Sequence, residues 1–485
     1  MRLELHGFAP DLDPSTPGIV AECDGIIPLR TGLVAAGSLV DAGIDAIPSG
    51  TANAAVLATL LDGSRRTIVA TGTRIYEVTG ASWTDRSRTG NYTSGSITSF
   101  CVFGDNVLSS NGVEIIGQAA PGAGFTDIAG SPKADILVTA SGCVMALNVN
   151  HADYGDAPDG WHCSALRNQA DWTAAAATQS AYGRLIDAPG DIRAGAALGG
   201  DIVAYKESSM FLGRYVGPPV VWQWTRVPGD IGTHGNGCVV AAGTRHFFHG
   251  GDDFYVFDGS TPRPLDCPAR KWFSRDLNWQ YAHRIASSYD QETGVVYWYY
   301  PSTASASGDI DSVISYNVAT NRWGRQRVGQ AYGYPVQAVS RIATAAMTYE
   351  GIPGTYDTLP EVPYDSPFWL SSTLGNAIVV NGKFYTPSGV PATSWIVTGD
   401  FGDLTSWLFL RRVTPAYVVN PTAATLTATM RETLGGAPTS AATLPSVRGR
   451  FDLRHNARWH RLMFVWSGNM TITGFDADVV RTTPE

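Results

Sequence analysis

Charged residues are scarce in this chain. They make up 16% of its 485 residues, against roughly a quarter in ordinary soluble proteins. Grip on nucleic acid through its phosphates needs clustered Lys and Arg. Here 34 Lys and Arg face 43 Asp and Glu, a net charge of −9. That argues against phosphate-neutralising binding, although an acidic wall could line a conduit along which DNA slides without sticking. Cysteines are few as well: Cys23, Cys101, Cys143, Cys163, Cys238 and Cys267 are widely spaced and include no C-x-x-C pair. Zinc sites need closely spaced ligands, and disulfide scaffolds are denser and shorter. Free, mostly buried thiols in a reducing cytoplasm are therefore expected. Long apolar runs are missing. The start, Met1-Arg2-Leu3-Glu4-Leu5-His6, lacks the apolar core of a signal peptide, and Ala54 to Leu61 is far too short to span a bilayer. Synthesis in the cytoplasm with no membrane insertion is the expectation. No G-x-S-x-G elbow, P-loop, G-x-G-x-x-G turn or Ser-x-Asp-x-Gly-x-x-Trp box occurs in a fitting context.

What the chain does have is glycine (53), proline (28) and aromatics (11%). Gly and Pro punctuate turns, while Trp, Tyr and Val suit pleated, half-buried surfaces. Many short strands are expected, with few helices. Residues 1–50 hold turn formers and little periodicity, as in Ala9-Pro10-Asp11-Leu12-Asp13-Pro14, and predict an extended N-terminal arm laid over other structure. From 51 to about 345 one pattern returns: a strand, a tight polar turn, a second strand, then an aromatic-polar tail. Thr67-Ile68-Val69-Ala70 followed by Arg74-Ile75-Tyr76-Glu77-Val78 is its first instance. Others start at Phe100, Ala134, Asp201, Arg245 and Gly294. Each is a hairpin signal, and a recurrence of about 40 to 50 residues is that of propeller blades. The predicted fold is all-β: a degenerate β-propeller over 51–345 with an insertion near 150–190, a twisted sandwich being the alternative. Pro353, Pro360, Pro363 and Pro367 predict a linker and draped strands over 346–395. Alternation in Ala424-Thr425-Leu426-Thr427-Ala428-Thr429 and Met470-Thr471-Ile472-Thr473 marks an additional C-terminal β module over 396–485.

The groups that could carry chemistry do not assemble into a site. His246 and His249 flank Phe247-Phe248, but positions three apart on a strand point to opposite faces and do not converge on one metal. Asp252, Asp253, Asp258 and Asp311 raise the possibility of a propeller glycosidase, which needs two carboxyls about 5 to 9.5 Å apart. Their Gly-Asp-Asp and Asp-Gly settings are instead those of turns and Asx caps. Trp222-Gln223-Trp224 and Tyr297-Trp298-Tyr299-Tyr300 could line a carbohydrate site, yet they lie inside strands, where packing explains them. Arg322, Arg325 and Arg327 form an isolated basic cluster that suits a local ion-paired contact. No catalytic, cofactor-binding or metal-ligating residue is assigned, and no enzyme is expected.

One resemblance gives these segments a context. Val203-Ala204-Tyr205-Lys206-Glu207-Ser208-Ser209-Met210-Phe211 and His249-Gly250-Gly251-Asp252-Asp253-Phe254-Tyr255-Val256-Phe257-Asp258-Gly259 are similar to segments of nozzle (hub) proteins of short-tailed bacteriophage tails. The likeness continues, in order, through Val296-Tyr297-Trp298-Tyr299-Tyr300-Pro301-Ser302 and Ile314-Ser315-Tyr316-Asn317-Val318-Ala319-Thr320-Asn321-Arg322-Trp323. It ends in Thr398-Gly399-Asp400-Phe401-Gly402 and Gly449-Arg450-Phe451-Asp452-Leu453-Arg454. It spans roughly residues 190–475, and the order is more specific than any single piece. Tyr-Asn-Val-x-Thr-Asn-x-Trp also resembles the end of a kelch blade, although the Gly-Gly doublet expected in each kelch blade does not recur in every repeat here. The nozzle resemblance implies a structural subunit of the virion tail forming a homo-oligomeric, six-fold ring below the portal and adaptor rings. Such a ring extends the DNA ejection channel, carries tail fibres or a needle at its periphery and passes DNA without sequence-specific binding. A propeller-type tail protein that binds or degrades glycans is the alternative.

Overall fold

A computed structural model describes residues 1–328, 336–343, 374–446 and 448–482. Hairpins account for most of it. Ser99–Phe103 and Asn106–Ser110 pair antiparallel around Gly104, whose φ of 59° costs a glycine little and a side chain more. Val295–Tyr300 and Ser312–Asn317 pair in the same way, and all twelve of their side chains are buried. A strand buried on both faces needs apolar or aromatic residues at successive positions, which explains the continuous run Val-Val-Tyr-Trp-Tyr-Tyr.

The chain divides into two compact units that do not follow its linear order. The unit formed by 41–230 and 336–386 holds four complete four-stranded sheets and most of a fifth. The first comprises Ala52–Thr59, Arg65–Thr71, Ile75–Thr79 and Ser82–Asp85; the second lies between Ser99 and Asp127. The third comprises Lys133–Ala140, Cys143–His151, Gly155–Cys163 and Tyr182–Arg184. The fourth comprises Ile192–Leu198, Asp201–Lys206, Met210–Gly217 and Val221–Arg226. In each, strands adjacent in sequence are adjacent in the sheet, which is the strand order of a propeller blade. The fifth joins Val336–Ala343, Leu374–Val380 and Lys383–Gly389 to Ser38–Asp41, a strand from the far end of the sequence. Neighbouring blades interlock closely: a Cβ on Gly195 of the fourth would lie 2.5 Å from Leu147 Cδ1 of the third. The insertion expected near 150–190 is the prolonged tip of the third blade's central hairpin together with the loop 164–181. The proline-rich stretch of the expected linker, Pro353 to Pro367, lies outside the described residues.

The other unit takes residues 1–40, 231–335 and 387–485. It contains two further blades. One is Val239–Ala242, Arg245–Gly250, Asp253–Phe257 and Arg263–Pro264; the other is Ala286–Asp290, Val295–Tyr300, Ser312–Asn317 and Arg322–Arg327. It also contains two larger sheets. In one, Trp407–Val419 and Thr471–Thr482 are central. In the other, Trp459–Ser467 lies between Ser394–Thr398 and Ala423–Arg431. Their inner faces pack against each other through Phe451, Phe464 and Phe475, with Phe464–Phe475 centroids 5.5 Å apart. The N-terminal residues are extended, and they enter these two sheets. Arg2–Glu4 pairs with Thr471–Thr482, Ile19–Asp24 with Ser394–Thr398, and Gly32–Ala35 with both Ile26–Leu29 and Thr471–Thr482. The chain is all-β: propeller-type blades, an extended N-terminal segment and a C-terminal β module.

Candidate functional site

The residues singled out from the sequence are spread through the fold and mostly spent on holding it. His246 and His249 both lie in Arg245–Gly250 and both are fully buried. His249 sits among Phe254 and Phe273, each 5.0 Å away between ring centroids, and His234 at 5.4 Å. Among the described residues neither of its ring nitrogens has a hydrogen-bond partner. Burial, reinforced by His234, pushes its pKa down to about 3. Among the described residues no three His, Cys, Asp or Glu side chains come together as a metal-binding set.

The acids go into turns and ion pairs. Asp258 accepts from the Ser260 amide at 3.1 Å and hydroxyl at 2.5 Å, bonds that lower its pKa. Asp311 accepts from the Ser302 amide at 2.8 Å and hydroxyl at 2.7 Å. Asp252 takes a hydrogen bond from Arg270, which lowers its pKa, whereas burial raises that of its neighbour Asp253. The arginine cluster is also committed. Arg327 chelates Asp24 through Nε at 2.8 Å and Nη2 at 2.7 Å. Arg325 lies 4.7 Å over the Trp272 ring and donates to the Cys23 carbonyl. The six cysteines are free, five of them buried.

The segments that carry the resemblance do structural work that their residue types dictate. Asn317 is fully buried; its Oδ1 accepts from the Ala319 and Thr320 amides, and its Nδ2 donates to the carbonyls of Pro28 and Thr293. Asn321 turns the chain at φ 54° and accepts from the Tyr316 hydroxyl at 2.6 Å. Trp323, 1% exposed, stacks on Trp298 and donates from its indole to the Asp266 carbonyl. A Cβ on Gly250 would lie 1.8 Å from the Gly232 carbonyl oxygen, so only glycine fits there. Lys206 buries its ammonium against the carbonyls of Leu185 at 2.6 Å and Ala188 at 2.7 Å, and burial lowers its pKa. Asp400, fully buried, is chelated by Arg461 at 2.8 and 3.1 Å, with Arg431 3.5 Å away.

Two clusters were not anticipated from the sequence. Glu77 is clamped by Arg66 at 2.6 and 3.1 Å and by Arg86 at 2.7 Å, and these guanidiniums outweigh its burial to lower its pKa. The second lies at the tip of the third blade, where His151, Tyr154, His162, Trp172 and Tyr182 form a run of touching rings. His151 lies against Tyr182 at 4.1 Å with the planes tilted by 32°, and Tyr154 meets Tyr182 at 5.7 Å and 73°. His162 meets His151 at 5.0 Å and Trp172 at 5.2 Å. Its Nε2 donates to the Trp172 carbonyl at 3.1 Å, and burial pushes its pKa down to about 4. Asp153 accepts from the Tyr182 hydroxyl, while its own amide donates to His151 Nδ1 at 3.0 Å. The members of this cluster lie apart in sequence and come together only across the hairpin and the loop.

No family model matches the chain, and no curated protein matches it. Solved structures give distant likenesses only. The extracellular domain of a hybrid two-component system of B. thetaiotaomicron matches at TM-score 0.42 and 7% identity, over 77% of this chain and 46% of that one. YCF48 bound to a D1 peptide matches at 0.41 and 11%, over 74% and 97%. BamB of Moraxella catarrhalis matches at 0.40 and 9%, over 80% and 97%.

Proposed function

We propose that this chain is a structural, non-enzymatic subunit of the tail nozzle of a short-tailed bacteriophage. It would assemble as a six-fold ring below the portal and adaptor, extend the DNA ejection channel, and carry fibres or a needle outside. The observation that carries this reading is the ordered set of nozzle-like segments between residues 190 and 475. Within them Lys206, Gly250, Asn317, Trp323 and Asp400 have architectural work to do. Polar side chains placed in buried hydrogen bonds and ion pairs, as Lys206, Asn317 and Asp400 are, suit a role that is geometric. Ring contacts of this kind are heterologous and must close on themselves. Electron microscopy of the recombinant protein and of virions tests the reading. A closed ring matching a tail layer is the expected result; a strictly monomeric protein absent from virions would remove it.

A further inference from the structure

We propose that the tip of the hairpin Cys143–His151/Gly155–Cys163, with Tyr182 beside it, is a binding platform for neutral saccharides. A pyranose presents two chemically different surfaces, a face of C–H groups and a rim of hydroxyls. The tip offers a counterpart to each. Tyr154 occupies the reversal, where Gly, Asn or Asp ordinarily sits, and it remains 47% exposed. It is braced from the side by Tyr182, whose own ring is backed by His151 at 4.1 Å with the two planes tilted by 32°. An exposed aromatic ring held in place loses little freedom when a sugar face stacks on it.

Asp153 supplies the polar half. Its side chain is 58% exposed. The Tyr182 hydroxyl donates to Oδ2, and among the described residues Oδ1 has no partner, so it can accept from sugar hydroxyls. A fixed carboxylate at this point repels uronic and sialic acids, which selects neutral rings. The brace continues inward through His162, 3% exposed and anchored on the Trp172 carbonyl. Closing a hairpin needs none of this, and the turn already has Gly155 at φ 67°. The platform is remote in sequence from Asp252 and Asp258, whose carboxylates are taken up in an ion pair and a turn. It does not rest on the nozzle reading: ring assembly and saccharide binding can each fail without the other.

Saturation-transfer NMR on the full chain tests it, with maltohexaose, cellohexaose and mannohexaose as probes and a hyaluronan hexasaccharide as the acidic control. At least one neutral probe is expected to receive saturation, and the acidic one none. Tyr154→Ala should weaken binding by about tenfold or more, while Tyr154→Phe, which keeps the ring, should stay within about twofold. Asp153→Asn should weaken it by roughly threefold or more. Binding of no neutral probe overturns the proposal, as does binding unchanged in a folded Tyr154→Ala protein. Should that variant fail to fold, unchanged binding in Asp153→Asn overturns it instead.

Discussion

Burying an imidazole with neither nitrogen paired costs about 1–3 kcal/mol, and among the described residues His249 is in that position, packed against Phe254, Phe273 and His234. Replacing it with Leu keeps most of the volume and removes both orphaned nitrogens. His249→Leu is expected to raise the unfolding free energy by about 1 kcal/mol at pH 7, read from urea melts. Its pH dependence follows from the direction of the shift. The folded protein keeps this ring neutral down to about pH 3, whereas the unfolded ring titrates near its ordinary 6.5. Between those values the unfolded chain binds the extra proton. Stability from this group is therefore full above the unfolded value and falls as pH drops through the window, at up to about 1.4 kcal/mol per pH unit. His249→Leu should flatten that slope. Glu77 poses the opposite case. Glu77→Ala would strand Arg66 and Arg86, two cations drawn onto one buried carboxylate, at a cost of about 3–5 kcal/mol. Asp258→Ala, in an exposed turn, should cost about 1 kcal/mol or less. Measuring both melts side by side separates a structural carboxylate from a local cap.

At the scale of elements, the N-terminal segment is an integral part of two sheets. Asp11 reaches the helix Arg270–Asp276, accepts from the amides of Lys271 and Trp272 and so acts as a cap supplied from another part of the chain. Asp11→Ala should cost about 1 kcal/mol, as loss of an N-cap does. Deleting residues 1–31 removes the strands laid on Ser394–Thr398 and Thr471–Thr482 and exposes their edges. That protein is expected to be insoluble or to lack the cooperative melt of the full chain, with circular dichroism as the readout. These pairings also mark the limit of what the sequence discloses. The hairpin around Gly104 and the buried run Val295–Tyr300 are legible because the signal lies within a few residues. Arg327 and Asp24 lie 303 positions apart, and nothing local to either announces the other. Thr126–Asp127 and Arg263–Pro264 are outer strands of two residues, too short for a period to register. The ring cluster at 151–182 was missed for the same reason: each residue looks ordinary until the loop 164–181 brings Tyr182 back beside His151.

For the molecule as a whole, the sign of its charge makes the conduit reading testable without imaging. A wall that guides DNA must not hold it, and much of this chain's cationic complement is already spent. Arg66 and Arg86 face Glu77, Arg327 faces Asp24, and Arg461 faces Asp400. The net charge of −9 then leaves repulsion as the long-range term. Salt distinguishes this from a hidden basic patch. A protein that neutralises phosphates binds tighter as salt is withdrawn, because counterion release becomes more favourable. Here withdrawal lengthens the screening distance from about 8 Å at 0.15 M to about 30 Å at 0.01 M, so repulsion grows instead. A 30-bp duplex mixed with about 100 µM protein, a concentration at which ordinary non-specific binders are engaged, should migrate freely at 0.15 M salt and equally freely at 0.01 M. Retention that strengthens at low salt would mean a clustered cationic surface and would remove the sliding-wall account. Free migration at both, alongside rings in the microscope, is what a passive conduit requires.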